Sequence, residues 1–240
     1  NSDALRIAAA RFVDPTVAVV NSSYHFAEYS SAGEQAYWQY QSQVKQMESR
    51  TGSVIGAHGA LYFFRQTLFT TLKADTINDD FILPMQIVEQ GYKAVHEPAI
   101  VATELECVKP DANNSRRKRI AAGNLQQAVR LRGLLLPSFK GVAFNFLSGK
   151  VLRVLMPLCL VLFYLASMVL ATQYTLFALL AIGQTLFYAA AVYQHHWLAN
   201  NDSGKQPQRL IAVIYYFASG YWFSLVGMTE YLLKKQEFRV

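Results

Sequence analysis

Two groups of residues in this chain have types and spacing suited to chemistry. Thr76-Ile77-Asn78-Asp79-Asp80-Phe81 sets two carboxylates side by side, and Arg116-Arg117-Lys118-Arg119 sets a run of cations further along. A positioned carboxylate can take a proton from a hydroxyl. Guanidinium forks match phosphate oxygens in paired hydrogen bonds. Beyond the cations the chain turns apolar and stays so almost to its end. A base, a diphosphate clamp and a lipid anchor together suit transfer from a diphosphate-bearing donor at a membrane surface; none of the three would persuade alone.

The elements that must position these groups can be read from local pattern. Asp3 to Phe12 reads as a short helix with Ser2 as its N-cap, ended by Asp14-Pro15, and Val17 to Val20 as a buried strand. Glu34 to Arg50 carries Tyr37, Tyr40, Val44 and Met47 at helical spacing, and Gly52 supplies a left-handed stop. Ser53-Val54-Ile55 reads as a strand leading into the turn Gly56-Ala57-His58-Gly59. A second helix is expected from Asn78 or Asp79, where either side chain can cap it, to Gly91. Tyr92 to Val95 and Ile100 to Thr103 read as two short strands split by Glu97-Pro98. Strands and helices mixed in this way indicate an α/β layer architecture.

The 52% hydrophobic content and mean hydropathy of +0.14 average two unlike halves. Residues 1–150 hold nearly all the acidic side chains; from Val151 on, charge nearly vanishes outside one loop and the tail. The net charge of +6 gathers around residues 116–153 and at the end of the chain. Beside apolar spans, such charge suits anionic lipid or phosphate better than nucleic acid, for which no recognition motif is present. Cys107 and Cys159 imply no disulfide framework. Residues 151–171 and 175–193 are each about as long as a bilayer crossing requires. A third apolar segment, 210–233, is rich in Tyr and Trp and carries Glu230 near its end. The Arg- and Lys-rich stretch before the first span places residues 1–133 in the cytoplasm by the positive-inside rule. A full third crossing would put the basic tail, 234–240, on the far side, against that rule. Residues 134–150, with Leu134, Leu135, Leu136, Phe139, Val142, Phe144 and Phe146 among Arg132, Lys140 and Lys150, read as an interfacial amphipathic stretch.

Three ordered motifs carry a family likeness: Ser53 to Tyr62, Ile77 to Pro84 and Arg116 to Asn124. Together they resemble family 2 glycosyltransferases, the membrane-bound inverting enzymes related to cellulose, chitin and hyaluronan synthases. The likeness covers residues 3–155, and the apolar hairpin follows where that family has one. It implies the C-terminal part of a GT-A domain followed by a membrane region of two to three helical segments, in a multi-pass protein of the inner or plasma membrane. It implies Asp80 as general base, with Asp79 orienting it or binding the acceptor. Arg116, Arg117 and Arg119 fall on the family's arginine motif and would hold the departing diphosphate. Gly56, His58 and Gly59 would line the acceptor. The family's Trp is replaced by Ile120, which weakens any reading as a maker of long polymers. A nucleotide-sugar donor, a glycan or lipid acceptor, membrane lipid and Mg²⁺ or Mn²⁺ are the implied partners. The family's Asp-x-Asp metal motif would end at or before Asn1, so the metal's ligands are expected upstream and the chain is expected to be incomplete.

Simpler roles stay open beside these. Asp79 can serve as a helix cap, the arginines as a juxtamembrane basic patch, and His58 as a structural residue. At the level of the whole chain, a non-catalytic membrane partner or remnant of such an enzyme is the alternative. A small membrane transporter is the other, and Gln184 alone offers it little chemistry.

Overall fold

A computed structural model of the chain describes residues 1–27, 32–105, 113–200 and 209–233. Cys107 and the basic tail lie outside the described residues. The described residues form two compact units: residues 1–27, 32–105, 113 and 123–152 make the first, and residues 114–122, 153–200 and 209–233 the second.

The first unit is a mixed α/β layer built on a small sheet. Helix α1 (Ala4–Arg11) leads to strand β1 (Val17–Phe26), helix α2 (Ala32–Thr51), strand β2 (Tyr62–Phe64), helix α3 (Asp79–Glu89) and strand β3 (Lys93–Glu104). The sheet order is β2-β1-β3, with β1 antiparallel to β2 and parallel to β3. Asp3, not Ser2, occupies the N-cap of α1, and its side chain makes no capping bond. Strand β1 runs well past the expected Val20. The polar residues Asn21, Ser22 and Ser23 continue it because each finds a partner while buried. Ser22 Oγ donates to the Leu61 carbonyl at 2.7 Å, and Ser23 Oγ lies 3.4 Å from His96 Nε2.

Two further expectations are corrected. Residues 53–55 form no strand. They run beside β3 through single contacts, with Val54 N–H donating to the Ala94 carbonyl and Ala94 N–H to Ser53 Oγ, both at 2.9 Å. The two strands expected around Glu97-Pro98 are one strand, β3, whose register jumps from Ser22↔Glu97 to Ser23↔Val101. The residues between bulge out, so Pro98 needs no ladder partner.

Helix α3 buries Phe81, Ile82, Leu83, Met85, Ile87 and Val88 against β1, and Gly91 follows it with φ 97°. Helix α4 (Asn113–Arg130) gives this unit its second half, and α5 (Gly141–Phe146) completes the core. Leu134, Val142 and Phe146 are buried in that core, whereas Leu136 and Phe144 are exposed. The stretch read as interfacial is therefore half committed to packing.

The second unit holds the first half of α4 with α6 (Leu152–Leu170), α7 (Thr175–Asn200) and α8 (Arg209–Leu232). Among the described residues, Gly141–Leu170 and Thr175–Trp197 are long and apolar enough to cross a membrane, with mean hydropathies of 2.1 and 1.8. Most of their apolar windows is exposed, the reverse of a core helix in a water-soluble protein. Helices α6, α7 and α8 border an apolar cavity of about 1200 Å³.

Candidate functional site

The acidic pair opens α3. Asn78 takes the N-cap position without a side-chain capping bond, and Asp79 and Asp80 fill the first turn. There the unpaired N–H groups and helix dipole favour the ionised carboxylate. Asp79 is exposed and Asp80 partly buried.

The glycine turn lies directly on this helix start. Ala57 N–H donates to the Asp80 carbonyl at 3.0 Å. A Cβ on Gly59 would lie 3.0 Å from Asp80 Oδ2, so the absence of a side chain at Gly59 leaves the carboxylate its room. Gly56 has φ 74°, and a Cβ there would fall 2.2 Å from the Phe81 ring. Two glycines are thus demanded by close approach, one beside the Asp80 carboxylate and one beside the Phe81 ring.

The turn is held from behind by Asn21, which is 1% exposed. Asn21 Nδ2 donates to the Gly56 carbonyl at 2.7 Å, and His58 N–H donates to Asn21 Oδ1 at 3.1 Å. Lys45 on α2 adds donation to the Ile55 carbonyl and pairs with Glu48 at 3.5 Å. Pattern reading overlooked both residues. The one available signal for Asn21 was a polar residue directly following an apolar strand.

His58 is stacked on Tyr24 with ring centroids 4.0 Å apart, and Trp38 meets it edge-on at 5.3 Å. Burial, assisted by the Lys45 charge, pushes the His58 pKa down to about 4, so the ring is neutral at pH 7. His96 is depressed to about 4 as well, by burial and then Lys45, against the opposing pull of Glu97. Both histidines border a cavity of about 60 Å³ with Ser22, Ser23, Ser42 and Trp38. Tyr62 on β2 is raised above the ordinary tyrosine range, first by burial and then by the negative charges of Asp79 and Asp80.

Helix α4 sets the approach to the acidic pair. Ile77 N–H donates to Gln126 Oε1 at 3.0 Å, and Gln126 Nε2 donates to the Asp75 carbonyl at 2.8 Å. Arg130 donates to Thr76 Oγ1 at 3.0 Å and to Asp75 Oδ2 at 2.5 Å; this bond holds the Asp75 carboxyl below its usual range. Gly123 packs on Asn78, where a Cβ would fall 2.2 Å from Nδ2.

Gly56, His58, Gly59, Asp79 and Asp80 are thereby brought together in the first unit. Arg116, Arg117 and Arg119 belong to the second, on the first half of α4, with Arg116 exposed and the others partly so.

No known protein family and no curated protein matches the chain by sequence. By structure, it is similar to the mannosyltransferase PcManGT from Pyrobaculum calidifontis, solved in complex with GDP-Man and Mn²⁺. The TM-score is 0.59 at 20% identity, over 98% of this chain and 59% of that one. The fold is similar to that of a glycosyltransferase. This chain spans 59% of the length of that enzyme. Its described residues bring together no group of three His, Cys, Asp or Glu able to hold a metal ion, and no step is assigned to one.

Proposed function

We propose that the chain belongs to a membrane-bound inverting glycosyltransferase of the family 2 type. It moves a hexosyl or N-acetylhexosaminyl group from a nucleotide sugar to a glycan or lipid acceptor. The observation that carries this reading is the Asp80 carboxylate in the first turn of α3, lying close against Gly59, in a glycosyltransferase fold. Asp80 accepts the proton of the acceptor hydroxyl as that oxygen attacks the anomeric carbon. The bond from that carbon to the diphosphate breaks with inversion, and the arginines of α4 take up the charge of the leaving group. Asp79 orients the base. Gly56, His58 and Gly59 form the acceptor side, where His58, neutral and stacked, offers hydrogen bonding without charge. GDP-mannose with Mn²⁺, the pair bound in the PcManGT structure, is the first donor to try.

The apolar, largely exposed helices support a multi-pass location in the plasma or inner membrane. The cationic stretch before α6 supports a cytoplasmic face for the first unit. The test is Asp80→Asn in the intact enzyme. Turnover is expected to fall about 10²- to 10⁴-fold, the usual contribution of a general base, with nucleoside diphosphate affinity kept. Residual turnover above roughly a tenth of wild type would sink the base assignment. Arg119→Ala should instead weaken nucleoside diphosphate binding, measured by titration calorimetry; unchanged affinity counts against its role.

A further inference from the structure

The third apolar segment has contacts that a plain anchor does not need. Within the second unit, Lys118 Nζ donates to Glu230 Oε1 at 3.0 Å, and the two side chains are only 27% and 19% exposed. Arg117 donates to Ser219 Oγ at 3.1 Å, and its guanidinium carbon lies 4.6 Å from the Tyr216 ring centroid. Gly227 lets the backbones touch: a Cβ there would fall 2.3 Å from the Lys118 carbonyl oxygen and 2.8 Å from its Cα. At about 100° per residue, Tyr216, Ser219, Gly227 and Glu230 fall within one arc of α8 roughly 80° wide. One face of α8 is thus built to receive the cationic run of α4.

The contacts divide that run by role. Arg117 gives one N–H to a hydroxyl and lays its guanidinium over a ring, and Lys118 pairs its charge with a half-shielded carboxylate. Arg116 is exposed, Arg119 is partly so, and among the described residues neither makes these contacts to α8. A guanidinium held on a hydroxyl and a ring is less free to turn toward a phosphate than one with no such contacts. We infer that α8 is the docking helix of the arginine run, that Arg117 and Lys118 are positioning residues locked onto it, and that Arg116 and Arg119 are the groups that meet the donor diphosphate. This rests on the proposed glycosyl transfer for its ligand, but the docking itself does not.

The experiment uses the full chain in nanodiscs, with GDP and UDP as probes and melting temperature alongside. Arg116→Ala and Arg119→Ala should each weaken nucleoside diphosphate binding about tenfold or more, the scale of one charge-assisted hydrogen bond, at unchanged Tm. Arg117→Ala should lower Tm, and its affinity loss should be smaller. Lys118→Glu and Glu230→Lys should each lower both Tm and affinity, and the double exchange should restore both. Gly227→Leu should resemble the single exchanges. If the double exchange rescues neither quantity, the docking is wrong. If Arg117→Ala matches Arg119→Ala in affinity with Tm unchanged, the division of roles is wrong. An intact wild-type enzyme that binds neither GDP nor UDP overturns the proposed function and the assignment of Arg116 and Arg119. In that event, rescue of Tm by the double exchange still upholds the docking, and its failure removes it.

Discussion

Replacing Gly59 by alanine is the sharpest perturbation of the acidic site, because it adds one methyl group and changes no charge. That methyl would sit 3.0 Å from Asp80 Oδ2 and 3.5 Å from Asp80 Cβ. Relaxed non-bonded contacts lie at about 3.5 Å or more, so the carboxylate or the turn must give by roughly 0.5 Å. A displacement of about 1 Å at a reacting group can cost 10²-fold, and half of that predicts roughly a tenfold fall in kcat. The fold should barely notice. Gly59 is exposed and its φ is outside the left-handed region, and such surface changes stay within about 0.5 kcal/mol. Gly56→Ala is the matched control. Its φ of 74° and the Phe81 ring 2.2 Å from a new Cβ add left-handed strain of about 1–2 kcal/mol to overpacking of about 1–3 kcal/mol. That sum lowers Tm by on the order of 10 °C. The assay pairs steady-state glycosyl transfer from a nucleotide sugar with thermal unfolding of each variant. Gly59→Ala with unchanged kcat, or with its kcat loss tracked by an equal loss of Tm, would refute the claim that this glycine makes room for a working carboxylate.

Asn21→Ala should destabilise the first unit by about 2–4 kcal/mol, since it leaves the Gly56 carbonyl and the His58 N–H without their partner in a buried setting. Asn21→Asp keeps the acceptor for His58 N–H but buries a charge against the Gly56 carbonyl, so its cost in a denaturant titration at neutral pH should be at least that of the alanine variant. Acid should also destabilise the fold. His58 and His96 titrate near 4 when folded and 6.5 when unfolded, so the unfolded chain binds more protons between those values. Their contribution is therefore present above pH 6.5 and lost as pH falls toward 4. Melting curves across that window should show Tm falling, and the slope should flatten in a His58→Gln, His96→Gln double variant.

Much of the scaffold is legible locally. Helices α2, α3, α6 and α7 announce themselves by periodicity or apolar length, and a helix start at Asp79-Asp80 follows from side chains that suit a positive helix end. What failed depended on partners distant in the chain. Asn21, Ser22 and Ser23 look like the end of a strand until the turn at 56–58, Leu61 and His96 satisfy them. Residues 53–55 look like a strand because Ser-Val-Ile suits one, but their neighbour on β3 offers single bonds and no ladder. Glu97-Pro98 looks like a break because proline cannot continue a ladder, yet a bulge absorbs it and β3 runs on.

The sequence by itself determined the chemical inventory: a glycine turn, two carboxylates and a cationic run in that order, with an apolar segment behind. Residue type sets whether a group can take a proton or hold a phosphate, and no folding is needed to know it. Tertiary structure alone decided which groups stand against one another. Gly59 lies against Asp80, while Arg117 and Lys118 are drawn to Ser219, Tyr216 and Glu230, a hundred or so residues away. Whether a side chain is reactive or already spent depends on contacts between distant segments, and those form only when burial outweighs the entropy of closing the chain between them.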